Sequence, residues 1–128
     1  MSVDSLPDSV RRFILSSIPS VPYLEAVLLL RNEPATQWDA KRAAARLYLR
    51  PAVARELLLQ LEAARIAAAA PQHEGCFWYR PEPGLAAMLD EVAAAYSTDL
   101  LRVTALIHSR IDKRAQQFAD AFRWRKEP

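Results

Sequence analysis

The sequence predicts a mainly helical protein with one small β-hairpin. Three observations lead to this fold class. Apolar residues recur at helical spacing through most of the chain, and only two of its 128 residues are glycine. A short aromatic run, Cys76 to Arg80, instead favours a strand. With 52% hydrophobic and 25% charged residues, the chain has the composition of an ordinary globular domain, so residues 1–128 are predicted to form a single domain.

Two short helices are predicted in the first part of the chain. The first begins near Leu6-Pro7-Asp8 and is separated from the second by Pro19 and Pro22, because the residue before a proline is pushed out of the helical region. The second helix, Pro22 to Arg31, is apolar on most faces and is predicted to be buried. The apolar stripe of the first helix consists of Val10, Phe13, Ile14 and Ile18.

The next two helices have the most regular pattern in the chain. The first covers about residues 38–47, with Thr36 as its predicted N-cap. The corner Tyr48-Leu49-Arg50-Pro51 follows, and Pro51 suits the start of a helix because its missing N–H would be unpaired there. The second covers residues 51–65, which completes a helix-turn-helix layout. The predicted inward residues of the pair are Ala40, Ala43, Ala44, Leu47, Ala54, Leu57, Leu58, Leu61 and Ala64.

A β-hairpin is predicted directly after these two helices. Residues 66–70 pair with residues 76–80 across a turn in which Gly75 supplies a positive φ. Phe77 and Tyr79 then share one face of the second strand. Because alanine is depleted in strands, the hairpin is expected to be short. A hairpin in this position is a wing.

The segments EAVLLLR, WDAKRAAARL, YLRP, AVARELLLQLEAARI and FWY together resemble the winged helix-turn-helix domains of bacterial transcription regulators. The resemblance covers Pro22 to Tyr79. It implies a winged helix-turn-helix core at residues 22–80, with additional N- and C-terminal helices. Such regulators usually have a glycine where Arg65 stands, between the second helix and the wing. Here Arg65 must make that bend with a side chain.

The resemblance further implies a DNA-binding transcriptional regulator whose partner is double-stranded DNA. The helix at residues 51–65 would be the recognition helix and would enter the major groove with its N-terminal end first. Arg55 would contact guanine, and Gln60 a base or a phosphate. The side chains predicted to neutralise phosphates are Lys41, Arg42, Arg46 and Arg50.

Two alternatives to DNA binding remain open at this level. Residues 36–70 carry six basic and three acidic side chains, and this excess is also typical of the solvated face of an alanine-rich helix. The outward positions of the recognition helix also include Ala52, Val53, Leu59 and Glu56, which read DNA poorly. They favour the alternative of a non-DNA-binding winged helix that acts as a protein-protein interaction module.

The C-terminal part, residues 84–128, is predicted to form two helices that serve dimerisation. The first covers residues 84–96. The second covers about residues 98–124, with Ser97 as N-cap and Asp99 in its first turn. Its apolar stripe is longer than a winged helix can cover, so a homodimer is expected. The alternatives are docking on the first helix of the same chain, another protein partner, or contact of the basic tail FRWRKEP with a membrane surface. The predicted dimer interface consists of Ile107, Ile111, Phe118 and Phe122.

The sequence offers little chemistry, so no enzyme, catalytic residue, cofactor or metal is predicted. His73, Glu74 and Cys76 lie close together in the wing turn, but no CxxC or HxxxH spacing accompanies them. A redox role for Cys76 is the alternative to an inert thiol. His108 is interpreted as a boundary residue of the last helix. One cysteine, no signal peptide and no apolar run of ~20 residues predict a cytoplasmic protein that does not span a membrane.

Overall fold

A computed structural model of the chain describes residues 6–126, except for the side chains of residues 112, 114 and 120–126. The described part contains six helices and one two-stranded antiparallel sheet. The predicted fold class, mainly α with a small β-hairpin, is confirmed. The elements are α1 Asp8–Ser17, α2 Val21–Asn32, α3 Ala40–Leu47, α4 Pro51–Ala63, β1 Ala67–Ala69, β2 Phe77–Tyr79, α5 Pro83–Thr98 and α6 Leu100–Lys126.

The chain forms two compact units. The central unit spans Pro22–Ala93 and contains the helix-turn-helix and the hairpin. The terminal unit combines Met1–Val21 with Ala94–Pro128. Among residues 6–126 no single helix is both long and apolar enough to cross a membrane. Only α1 and α2 taken together reach the required length and apolar content, and a break at residues 18–20 separates them.

The core of the central unit follows the predicted inward faces of α3 and α4. α3 packs against α4 through Ala43 and Ala44, and α2 is buried on several sides. Three predicted inward positions differ: Ala40 and Leu47 are half-buried, and Ala64, which follows the last residue of α4, is exposed. The buried residues of these helices are Tyr23, Leu24, Ala26, Val27, Leu30, Ala43, Ala44, Ala54, Leu57, Leu58 and Leu61.

The corner between α3 and α4 relies on a left-handed residue. Tyr48 ends α3 with φ 57° and ψ 44°, and the N–H of Leu49 donates to the carbonyl oxygen of Ala44 at 3.0 Å. Arg50 is extended, with φ −72° and ψ 146°, and Pro51 starts α4 as expected. The Tyr48 side chain is 94% exposed. An L residue pays a steric cost for this conformation, and here no packing of the side chain offsets it.

Replacing Tyr48 with glycine is expected to raise the free energy of unfolding by about 1 kcal/mol. Glycine adopts the left-handed conformation without a Cβ clash, and an exposed ring has no buried contacts to lose. Urea unfolding followed by circular dichroism measures the change. Tyr48→Ala is the control, since it removes the ring and keeps the Cβ. An equal increase in the free energy of unfolding for both variants would show that removal of the ring, and not relief of backbone strain, stabilises the protein.

The start of α3 differs from the prediction. Asp39, and not Thr36, is the N-cap, because its Oδ1 accepts from the N–H of Arg42 at 2.7 Å. Trp38 therefore lies before the helix, and its extended backbone pairs with Phe77. Its N–H donates to the Phe77 carbonyl at 2.7 Å, and the Phe77 N–H donates back at 2.8 Å. This bridge ties the hairpin to the segment that leads into α3.

The hairpin is present and is shorter than residues 66–70 and 76–80. Three residues of β1 pair with three of β2 in the register Ala67↔Tyr79, Ala68↔Trp78 and Ala69↔Phe77. Gly75 has φ 80°, as predicted for the turn. Arg65 has φ 63°, so the bend before the wing uses a positive φ despite the side chain. Its guanidinium pairs with Glu82 at 2.9 Å across the base of the hairpin.

The terminal unit is built on the packing of α1 against α6. Val10 and Ile14 of α1, and Val103 and Ile107 of α6, are buried. The prediction of Ser97 as N-cap of the last helix is wrong, since Ser97 lies inside α5. The N–H of Arg102 instead donates to Asp99 Oδ1 at 3.3 Å, which places Asp99 at the cap.

Candidate nucleic-acid interface

The three cations of α3 lie together on its exposed face. Lys41, Arg42 and Arg46 are all exposed. The guanidinium groups of Arg42 and Arg46 lie 5.3 and 5.4 Å from the centre of the Trp38 ring. Trp38 is itself fully buried, so two arginine stems cover its outer side. Cation–π attraction therefore holds both charges over one fixed point of the fold.

Arg46 differs from its neighbours because it already has a partner. Its Nη2 donates to Glu33 Oε2 at 2.7 Å, with side chains 52% and 37% exposed. Within the described part of the chain, neither Lys41 nor Arg42 forms an ion pair. Arg46 must leave Glu33, or share it, before it neutralises another anion. Arg46 is therefore the least available of the three cations to an external anion.

The N-terminal end of α4 carries the remaining cations of the predicted interface. Arg50 directly precedes α4, and Arg55 and Gln60 are exposed along it. No side chain caps the first turn of α4, since Arg50 offers no acceptor. Uncapped N–H groups and the helix dipole both favour an anion at this end. Lys41, Arg42, Arg50 and Arg55 are the cations of α3 and α4 that have no ion-pair partner among the described residues.

Two exposed residues outside the predicted site are further candidates for contact with a partner. Tyr48 projects from the corner between the helices and is 94% exposed. Arg80, at the end of β2, lies 3.6 Å from the centre of the Trp78 ring, and its Nη1 donates to the Tyr79 carbonyl at 2.8 Å. The sequence signal for Arg80 was its position one residue after the aromatic strand. No sequence signal pointed to Tyr48, because a left-handed backbone conformation cannot be predicted from residue type alone.

The other side of the hairpin serves the core. Burial raises the pKa of Tyr79 above the ordinary tyrosine value, and Asp90 raises it further while Arg31 lowers it. Asp90 and Arg31 form an ion pair at 2.9 Å. The Tyr79 hydroxyl is buried and has no hydrogen-bond partner among the described residues. A half-buried ring with a buried, neutral hydroxyl indicates a packing role for Tyr79.

The turn of the hairpin contains the residues that were considered as possible metal ligands. His73 Nδ1 is hydrogen-bonded to Gln37 Oε1, and Cys76 is a half-buried free thiol. Among the side chains that the structure describes, no group of three or more His, Cys, Asp or Glu residues has an arrangement that could hold a metal ion. The turn therefore contacts the segment before α3 through the hydrogen bond between His73 and Gln37.

The predicted dimer interface divides into positions with different burial. Ile107 is fully buried inside its own chain and is not available to a second copy in this conformation. This part of α6 packs against α1 of the same chain, as one of the alternatives left open by the sequence expected. Ile111 and Phe118 are 43% and 72% exposed. The side chain of Phe122 lies outside the described residues.

The likeness to winged helix-turn-helix regulators rests on the sequence pattern and on the order of the elements. α3, the corner and α4 are followed at once by the hairpin, and the Trp38 bridge joins the hairpin to the residue before the cap of α3. Comparison of the chain with protein-family models, with curated proteins and with solved structures finds no match.

Proposed function

We propose that the protein is a winged helix-turn-helix regulator that binds double-stranded DNA, with α4 in the major groove. The observation that carries this proposal is the cluster of exposed cations on α3 and at the N-terminal end of α4. Lys41, Arg42, Arg50 and Arg55 are all exposed, and none is neutralised by an ion pair within the described residues. A cationic face on a helix-turn-helix is what phosphate binding requires.

The residues divide into two roles. Lys41, Arg42 and Arg50 would bind phosphates and set the position of the protein on the duplex. In the first turn of α4 the N–H of Ala52 would add a main-chain donor to the same phosphates, because Pro51 has no N–H and that of Val53 donates to the Arg50 carbonyl. Arg55 and Gln60, further along α4, would reach base edges, where arginine suits guanine and glutamine suits adenine.

The hairpin supports a second contact. The bridge between Trp38 and Phe77 links the strand to the segment on which Arg42 and Arg46 are stacked. Arg80 lies at the end of that strand and is exposed. It would bind the phosphate backbone beside the groove that α4 enters. Its stacking on Trp78 reduces the side-chain entropy that such a contact costs.

Fluorescence-anisotropy titration of a labelled generic duplex tests the proposal directly. Four phosphate contacts would make log K fall with log salt at a slope of about −4. Micromolar binding at low salt with a slope near this value is the expected result. A folded protein that does not bind duplex DNA even at low salt would overturn the proposal.

The proposed regulator is a homodimer formed through the second half of α6. At 1.5 Å per residue, the 27-residue α6 is about 40 Å long, whereas the 10-residue α1 is about 15 Å long. α1 therefore covers less than half of α6, and Ile111 and Phe118 of α6 are 43% and 72% exposed. A second copy offers the same apolar stripe, and a two-fold dimer would present two recognition helices to successive half-sites.

The double variant Ile111→Glu with Phe118→Glu is expected to convert a dimer into a monomer. Burying two carboxylates at a two-fold interface brings four like charges together without partners. Sedimentation equilibrium measures the change in mass. Leu101→Glu is the matched control, because Leu101 is an 80% exposed apolar residue at the other end of α6. A wild-type protein that is monomeric at high micromolar concentration, or a double variant that stays dimeric, would contradict this interface.

A second function, recognition of a protein partner, has its own observation. Tyr48, Val53 and Leu59 expose 94%, 36% and 40% of their surface on the corner and on α4. Tyrosine is enriched at protein interfaces, and these apolar contacts have little use at phosphates. In that case the protein would be folded and would show no affinity for duplex DNA in the titration above.

A further inference from the structure

A groove runs along the terminal unit between the N-terminal segment and α6. Two adjoining cavities of about 390 and 370 Å³ share Arg11, Leu106 and Ser109, and so form one continuous groove. Each has the volume of a small-molecule site. None of the cations proposed to bind DNA lines it, and neither does Ile111 or Phe118.

The two ends of the groove differ in charge. The end toward the C-terminus of α6 is lined by Arg11, Arg110 and Lys113, with no acidic side chain among its described lining residues. The other end contains Asp8 and Arg102. Arg102 is already neutralised by Asp99, whose Oδ2 accepts from its Nε at 3.0 Å. Arg11 lines this end as well and offsets Asp8. An anion is therefore attracted to the first end, where no carboxylate of the described lining residues opposes the three cations.

Arg110 has a side-chain donor that no described residue satisfies. Its Nη1 is buried and has no hydrogen-bond partner among the described residues. Because that atom is closed off from solvent, a carboxylate in the groove would accept from the other donors of the guanidinium of Arg110, which lines the groove, in the planar geometry that arginine favours.

The walls between the two ends are apolar. Leu15 of α1 and Leu106 of α6 are half-buried and line the groove beside the cations. Ala105 and Leu6 continue the apolar lining toward the other end. A bare inorganic anion would leave these side chains in water. An aliphatic chain would cover them, and each Å² of apolar surface removed from water contributes about 25 cal/mol of binding free energy.

We propose that this groove binds a small amphipathic carboxylate, with its head group at Arg110 and Lys113 and its aliphatic chain along Leu15 and Leu106. The site is separate from the proposed DNA-binding surface and does not depend on that function. Its ligand would lie between α1 and α6 and would stabilise their packing.

Titration calorimetry of the full chain with octanoate tests the proposal without DNA. Octanoate is expected to bind saturably with one site per chain and to raise the melting temperature. Octanol, which has the chain without the charge, and acetate, which has the charge without the chain, are expected to show no binding at the same concentration. Octanol binding as tightly as octanoate, or acetate raising the melting temperature equally, would overturn the proposal.

Variants locate the site. Arg110→Gln is expected to weaken octanoate binding at least tenfold, and Lys113→Gln several-fold. Arg12→Gln is the matched control, since Arg12 is an exposed arginine of α1 that does not line the groove. If Arg110→Gln does not fold, Lys113→Gln, an exposed position, carries the test. Unchanged affinity in both groove variants, or an equal loss in Arg12→Gln, would overturn the assignment.

Discussion

Replacing Trp38 with alanine is expected to lower the free energy of unfolding by about 3–5 kcal/mol. Trp38 is fully buried and is the largest side chain of the core. Its removal leaves a cavity beside the backbone bridge to Phe77 and takes away the ring beneath Arg42 and Arg46. Guanidinium unfolding followed by far-UV circular dichroism measures the loss.

Two controls separate the causes of this loss. Trp38→Phe keeps most of the ring and removes Nε1, which is buried without an acceptor among the described residues, so a cost below about 1.5 kcal/mol is expected. Trp78→Ala removes a half-buried ring of the hairpin and is expected to cost less than Trp38→Ala. An equal loss of stability in Trp78→Ala and Trp38→Ala would show that the hairpin depends on aromatic packing as much as the core does.

Reversing two charges of the proposed DNA-binding surface is expected to have the largest functional effect. Arg42→Glu with Arg50→Glu should weaken duplex binding by about 10²–10⁴-fold, since each lost charge-assisted hydrogen bond contributes about 1.5–3 kcal/mol. The salt slope should become less negative by about 2, because two phosphate contacts are lost. Anisotropy titration over a series of salt concentrations measures both quantities.

Single variants with equal changes in net charge make this test specific. Arg50→Glu should weaken binding strongly, and Arg12→Glu, on the exposed side of α1, should have little effect. Arg46→Gln should cost less than Arg42→Gln, because Arg46 is already paired with Glu33 at 2.7 Å. If Arg12→Glu weakened binding as much as Arg50→Glu, the attraction would depend on total charge and not on this surface.

The sequence predicted the elements well because their causes are local. Apolar spacing located α3 and α4, the fixed φ of Pro51 marked the start of α4, and Gly75 marked the turn of the hairpin. Helix caps were less predictable. Thr36 and Ser97 are good caps by residue type, yet Asp39 and Asp99 provide the acceptors. Several polar residues precede each helix, and tertiary packing decides which of them lies at its first turn.

The candidate site was harder to predict from the sequence, because it depends on contacts between residues that are far apart in the chain. The sequence grouped Arg46 with Arg42 by helical spacing, but Glu33, thirteen residues earlier, neutralises it. Ile107 and Ile111 belong to the same predicted stripe, yet Ile107 is buried within its own chain and Ile111 is 43% exposed. Periodicity identifies a face of a helix and does not indicate what covers each part of it.

The sequence by itself determined the helical fold class, the corner at Pro51, the hairpin and the row of cations, since these follow from spacing, backbone preference and charge along short stretches. Only the tertiary structure decided that Trp38 pairs with Phe77 instead of entering α3, and that Arg65 and Tyr48 adopt positive φ without glycine. The physical reason is the same in each case. A backbone pairing or a strained residue is selected by contacts between segments far apart in the chain, and their free energy exceeds the local preference.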